Sequence, residues 1–187
     1  TAARELAGRA GDAWLAARAL SILAYVTAEG DDPAAGLELF DAAADAFARV
    51  GDRRREALAR ANAGSLMLEL GRVEEASVRL HAAAETSRRV GNAPTAAVAT
   101  HNVGVARRLL GDLDDAEALQ ERAAAAAEVL RHARLASSVA TERVYLALAR
   151  DASAEVLVAR AEEAERRATA LTAAALAASA LAAAVRA

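Results

Sequence analysis

GDRRREALARANAGSLMLELGRVEEASVRLHAAAETSRRV, residues 51–90, runs directly into GNAPTAAVATHNVGVARRLLGDLDDAEALQERAAAAAEVL, residues 91–130. Laid over each other, the two lines match without a gap. Gly51 falls on Gly91, Asn62 on Asn102, Gly64 on Gly104, Gly71 on Gly111, Ala76 on Ala116 and Ala83 on Ala123. A fixed period of roughly 20–50 residues marks a solenoid, because one such unit cannot bury its own apolar face and must stack on the next. Within each line the first glycine suits a helix C′ position and the Asp or Asn after it suits the next N-cap. Each line therefore reads as two helices, near 53–70 and 73–89 in one and near 93–110 and 113–130 in the other.

Working outward, residues 11–50 form an earlier unit. Its helices are expected near 13–28 and 33–49, broken at Glu29-Gly30-Asp31-Asp32-Pro33, where Asp32 is an N-cap and Pro33 sits at N1. Residues 1–10 align with the end of every other unit and read as the last turns of a preceding helix. A fourth unit, 131–168, breaks around Arg150-Asp151-Ala152-Ser153 and is read as about two residues shorter than the others. Residues 169–187 are nearly all Ala and Leu. They are expected to form a terminal or capping helix, a further repeat's first helix, or an unbroken extension of the helix before them.

Composition restricts the chemistry. The 187 residues fit one domain, 55% of them are hydrophobic, and aromatic residues are only 3%. Alanine supplies about a third of the chain, so the core depends on close helix approach rather than on bulky side chains. Two prolines, both near helix starts, and no strand-favouring runs make the chain all-α. The absence of Cys excludes disulfides, thiolate metal sites and cysteine nucleophiles. A net charge of -3 argues against a direct nucleic-acid surface, which needs a basic stripe. No secretory signal pattern is present, and the alanine-rich tail is too weakly apolar to suggest a membrane span. All 23 basic residues are Arg, a usage similar to that of actinobacteria. The chain starts without Met and partway through a repeat, so a piece of a longer cytoplasmic protein is expected.

Within each unit the spacing resembles the tetratricopeptide repeat (TPR), a helix-turn-helix of 34 residues. Asn62-Ala63-Gly64, Leu70-Gly71-Arg72, Glu75-Ala76 and Ala83 carry the resemblance in one unit. Asn102-Val103-Gly104, Leu110-Gly111-Asp112, Asp115-Ala116 and Ala123 carry it in the next. The small residues are expected to pair, Gly64 with Ala76 and Ala83 and Gly104 with Ala116 and Ala123, bringing two helices close. The first unit fits less well, with Leu23 at the close-contact place. The fourth has Glu142 there and Ala149 for the turn glycine, so it is expected to be splayed or terminal. The longer period is similar to the arrays attached to actinobacterial transcription regulators of the LuxR and SARP kinds. Those follow a nucleotide-binding domain, none of whose motifs occurs here. The resemblance implies a right-handed superhelical α-solenoid of antiparallel helix pairs.

It also implies that first helices line a concave groove. Carried over, the lining positions are Ala17, Leu20, Ala24, Thr27 and Ala28 in the first unit and Ala136, Val139, Arg143, Leu146 and Ala147 in the fourth. In the middle units they include Ser65, Glu69, His101, Val105 and Arg108. With Asn62 and Asn102, the residues Ser65, Glu69, His101, Val105, Arg108 and Arg143 make the expected partner-binding site. The Lys and Asn clamp of chaperone-binding members is absent, so chaperone-tail binding is not expected; an apolar groove with a few Arg suits an amphipathic helix or a hydrophobic strand carrying an acidic group. Trp14 has no counterpart in other units and is expected to pack on the helix before it. The His residues lack metal-ligand spacing, Gly64 and Gly104 lie inside helices, and no catalytic or cofactor motif is seen. Three roles remain open. They are a protein-interaction scaffold serving a regulator, a sensor of a small molecule or peptide effector, and a homodimer formed through the alanine-rich end helices.

Overall fold

A computed structural model of the protein describes residues 12–30 and 32–184, with side chains through Thr172. The expected end of a preceding helix at 1–10 lies outside the described residues, as do Gly11, Asp31 and Arg186. Eight helices are present among the described residues and no strand. They are α1 (Ala13–Ala28), α2 (Pro33–Arg49), α3 (Arg53–Glu69), α4 (Val73–Arg89), α5 (Ala93–Leu109), α6 (Leu113–Val129), α7 (Ala133–Ala149) and α8 (Ala154–Ala184). Each packs on the next in sequence. The architecture is an α-solenoid of antiparallel helix pairs.

One turn repeats from α2 onward. Residues 51, 71, 91, 111, 131 and 151 all have positive φ, between 50° and 85°. In each, the left-handed residue donates its N–H to the carbonyl three back, and the following residue donates five back. Gly71 to Leu68 at 3.0 Å with Arg72 to Met67 at 2.9 Å is one example. This pair of hydrogen bonds satisfies carbonyls that a helix end leaves free. The residue after the left-handed one then starts the next helix, as Asp52 does by accepting from the Arg55 N–H at 3.0 Å. Four of the six positions are Gly, whereas Arg131 and Asp151 take the same conformation with a side chain. The fourth unit is therefore not shortened. Its turns fall in step, and α8 simply starts one residue later, behind Ser153. Nor does a helix begin at 169. Of the three readings of the tail, the structure has the unbroken extension, since α8 runs on to Ala184.

The core is shared between pairs. Ala24, Leu37, Phe40, Ala63, Leu66, Met67, Leu80, Val103 and Leu119 form one buried cluster across three units. Burying a side chain such as Leu80 or Met67 stabilises by about 1.5–3 kcal/mol. Within a pair, a Cβ on Gly64 would lie 2.7 Å from Leu80 Cγ, and one on Gly104 would overlap Gln120 and Leu119. The close partners are thus Leu80, Leu119 and Gln120 rather than the expected alanines. Ala83 instead joins Ala61, Ala84 and Ala99 between units. In the first pair the fully buried Ala24, not Leu23, occupies the matching place. There the close approach shifts to Gly36, whose Cβ would lie 2.8 Å from the Ala28 backbone.

First helices of successive units pack directly on one another, α3 on α5 and α5 on α7. Successive second helices are not in comparable contact. The row with the closer spacing is the inner row of a curved stack, so first helices line the concave side. No described helix is long and apolar enough to cross a membrane.

Candidate functional site

The inner row carries the residues that sequence pattern selects, and most of them are already engaged. Asn62 Nδ2 donates to Tyr25 Oη at 2.5 Å, tying α3 to α1. One unit later Asn102 Nδ2 donates to Ser65 Oγ at 2.6 Å, and Ser65 Oγ donates to the Ala61 carbonyl at 3.0 Å. One unit further, the guanidinium of Arg108 pairs with the buried carboxylate of Glu142 and lies 5.2 Å over the Tyr145 ring. These three contacts form a polar ladder up the inner row, each rung joining one first helix to the next. Glu142 therefore finds its counter-charge inside the chain, and the fourth unit is not splayed.

His101 is buried and faces Gln120, which is fully buried. Gln120 Nε2 donates to the His101 carbonyl at 2.9 Å, and Gln120 Oε1 lies 2.7 Å from His101 Nδ1. An amide oxygen only accepts, so Nδ1 carries the proton. Burial lowers the His101 pKa, opposed by the Gln120 hydrogen bond and the Glu142 charge. The ring is thus held inside the core by Gln120. Burial likewise pushes the Tyr25 hydroxyl up, against the Asn62 hydrogen bond, and its ring meets Phe40 edge-on at 5.0 Å.

The lining positions expected in the first and fourth units are one and two residues out of step. Ala17, Leu20, Ala24, Val139, Leu146 and Ala147 are buried core. Forty-residue steps from Ser65 and Leu68 lead instead to Tyr25 and Ala28, and to Tyr145 and Leu148. Arg143 therefore does not join the inner row. It faces the cleft between α6 and α8, beside Arg160, Glu163 and Arg167. Of the eight expected site residues, Glu69 and Val105 keep to the inner row, Glu69 without a polar partner among the described residues and Val105 half-buried. Beside the exposed Glu69, the inner row exposes a series of apolar side chains: Ile22, Tyr25, Leu58, Leu109, Tyr145 and Leu148.

Among the described residues Trp14 packs forward onto the start of α3, and the helix expected before it lies outside the described residues. Its Nε1 donates to Asp52 Oδ2 at 3.0 Å, and the Arg55 and Arg18 guanidiniums lie 4.9 and 5.6 Å from its ring centre. Burial pushes the Asp52 carboxyl up, but the Trp14 indole, the Arg55 backbone N–H and the Arg55 charge outweigh it and hold the pKa below its ordinary value.

The outer row has gaps between successive second helices. Between α4 and α6, over α5, lies a cleft of about 500 Å³. Its floor is Ala93, Ala96, Ala97 and Thr100, its wall Ala125, Ala126 and Val129, and Arg88 and Arg122 border it. The neighbouring gaps carry charged networks. Over α3, Glu56 holds Arg53 at 2.7 Å and Arg60 at 3.1 Å, and Arg60 reaches 4.0 Å from Asp45 of α2. Over α7, Arg167 bridges Glu128 of α6 at 2.5 Å and Glu163 at 2.7 Å, leaving about 50 Å³. The signal for the open cleft was present in the repeat alignment: Arg53, Glu56, Arg60, Glu85 and Arg89 become Ala93, Ala96, Thr100, Ala125 and Val129 one unit on.

Comparison with known proteins gives a fold and no family. No protein-family model matches the chain. No curated protein matches it. Among solved structures it is similar to BtubC (BKLC) from P. vanneervenii, with a TM-score of 0.70 and 21% sequence identity over 86% of this chain. The chain spans 66% of that protein's length. At this identity the likeness concerns the solenoid fold alone.

Proposed function

We propose that the protein is a protein-interaction scaffold of tetratricopeptide type, which binds a hydrophobic segment of a partner along its inner row. The observation that carries this reading is the exposure of Leu58, Leu109, Tyr145 and Leu148 on successive first helices, on the side where the stack is concave. Apolar side chains gathered on one face of a soluble protein mark a contact surface. Arg108 is held by Glu142, so an acidic group on the partner is not required there. The exposed Glu69 makes a basic residue the better complement. By the resemblance in repeat length and composition, the scaffold serves as the partner-binding region of a larger bacterial transcription regulator in the cytoplasm. It binds rather than catalyses.

The test is selection from a random displayed peptide library on the wild type and on Leu109→Glu/Tyr145→Glu. Apolar sequences enriched by the wild type and lost on the variant support the inner row as the contact face. Equal enrichment on both proteins overturns it.

A further inference from the structure

We propose that the cleft between α4 and α6 is a binding site for a small amphiphilic anion, an aliphatic or aromatic body carrying one carboxylate or sulfonate. The comparison is internal to the chain. Three gaps separate the outer helices, and two carry the chain's own Arg–carboxylate networks: Arg53–Glu56–Arg60 lies along α3 with Arg60 4.0 Å from Asp45 of α2, and Arg167 of α8 bridges Glu163 and Glu128 of α6 across α7. Over α5 the places of Arg53, Glu56, Arg60, Glu85 and Arg89 are taken by Ala93, Ala96, Thr100, Ala125 and Val129, and about 500 Å³ is open. That volume lies within the range of small-molecule sites, which are mainly apolar with a few placed polar groups.

The shape and charge define the ligand. Floor positions 93–100 and wall positions 122–129 each span seven helical steps, so the cleft is about 10 Å long. Its lining is almost wholly methyl and methylene groups, and the Thr100 hydroxyl is spent on the Ala96 carbonyl at 2.8 Å. Arg88 and Arg122 border the cleft, and neither pairs with a carboxylate among the described residues. In the other two gaps a carboxylate meets the guanidinium. In the open one, the ligand supplies both the missing carboxylate and the missing apolar fill. This site lies on the outer row and does not depend on the inner-row reading.

The probe is 1-anilinonaphthalene-8-sulfonate, read by its fluorescence, with decanoate and decylamine as competitors. Saturable binding is expected, displaced by decanoate and at least tenfold less well by decylamine. Arg88→Gln/Arg122→Gln should weaken the probe about tenfold or more. The variant Ala93→Arg/Ala96→Glu/Thr100→Arg/Ala125→Glu copies the charged residues over α3 and should abolish binding, with helicity by circular dichroism showing that it folds. If that variant fails to fold, Ala126→Leu, a smaller plug, is read in its place. Probe binding unchanged in the plugged and Arg variants overturns the proposal. So does equal displacement by decanoate and decylamine. Displacement by a Leu/Glu helical peptide but not by decanoate would make the cleft a helix dock and also overturn it.

Discussion

Left-handed backbone is where single residues matter most. Glycine takes positive φ without penalty, while a side chain there costs roughly 1–2 kcal/mol. Gly71→Ala should thus destabilise by about 1 kcal/mol. Arg131→Gly, at a turn of the same geometry, should stabilise by up to about 1 kcal/mol, both read as shifts in the urea midpoint. His101 gives a pH dependence. Its folded pKa is lowered by burial, so as pH falls the unfolded chain takes up the proton first. Stability is complete above the unfolded value of about 6.5 and declines below it. A denaturation series from about pH 7.5 to 5.5 should slope in the wild type and flatten in His101→Asn. The same two residue types show what sequence reading can reach. Glycine marks a left-handed turn, and those at 51, 71, 91 and 111 located helix ends to within a residue. Arg131 and Asp151 form the same turn with no such mark, and the fourth unit's lining was misplaced by two positions as a result.

Helices are joined to one another by contacts that single-helix patterns do not contain. Asn62 and Tyr25 are 37 positions apart, as are Asn102 and Ser65, and they meet only because α1, α3 and α5 stack in register. Reading each helix alone, these side chains look free to bind a partner. The Arg108–Glu142 pair is the costliest of the rungs to break, because its carboxylate is buried. Arg108→Met should cost about 3 kcal/mol or more by leaving Glu142 unpaired, and Arg108→Met/Glu142→Leu should recover most of the loss. Equal destabilisation in both variants would show that packing, not charge pairing, dominates. Trp14→Phe keeps an aromatic ring but loses the donor to Asp52. Faster amide exchange in α1 with α4 unchanged is the expected result.

Across the molecule, stability is uneven. The largest buried cluster runs through the first three units, whereas the fourth shares a smaller one of Ala, Leu and Val. No α8 side chain between 154 and 172 is fully buried. In a stack where each unit touches only its neighbours, opening starts where the interface is weakest. Hydrogen exchange should be fastest in α8, next in α7, and slowest in α4 and α5. Uniform protection along the chain would mean a single cooperative block instead.

The even beat of the turns also makes the units interchangeable parts. Excising 51–90 would splice Val50 to Gly91 through an unaltered left-handed turn. Trp14 would then meet Asn92 where Asp52 had stood, and Asn92 offers an amide oxygen to the indole. Tyr25 would meet Asn102, the same residue type as the Asn62 it lost. Such a three-unit chain should fold with unchanged helicity per residue and a lower melting point. Growth or loss of this array by whole-unit copying therefore needs no repair at the joint.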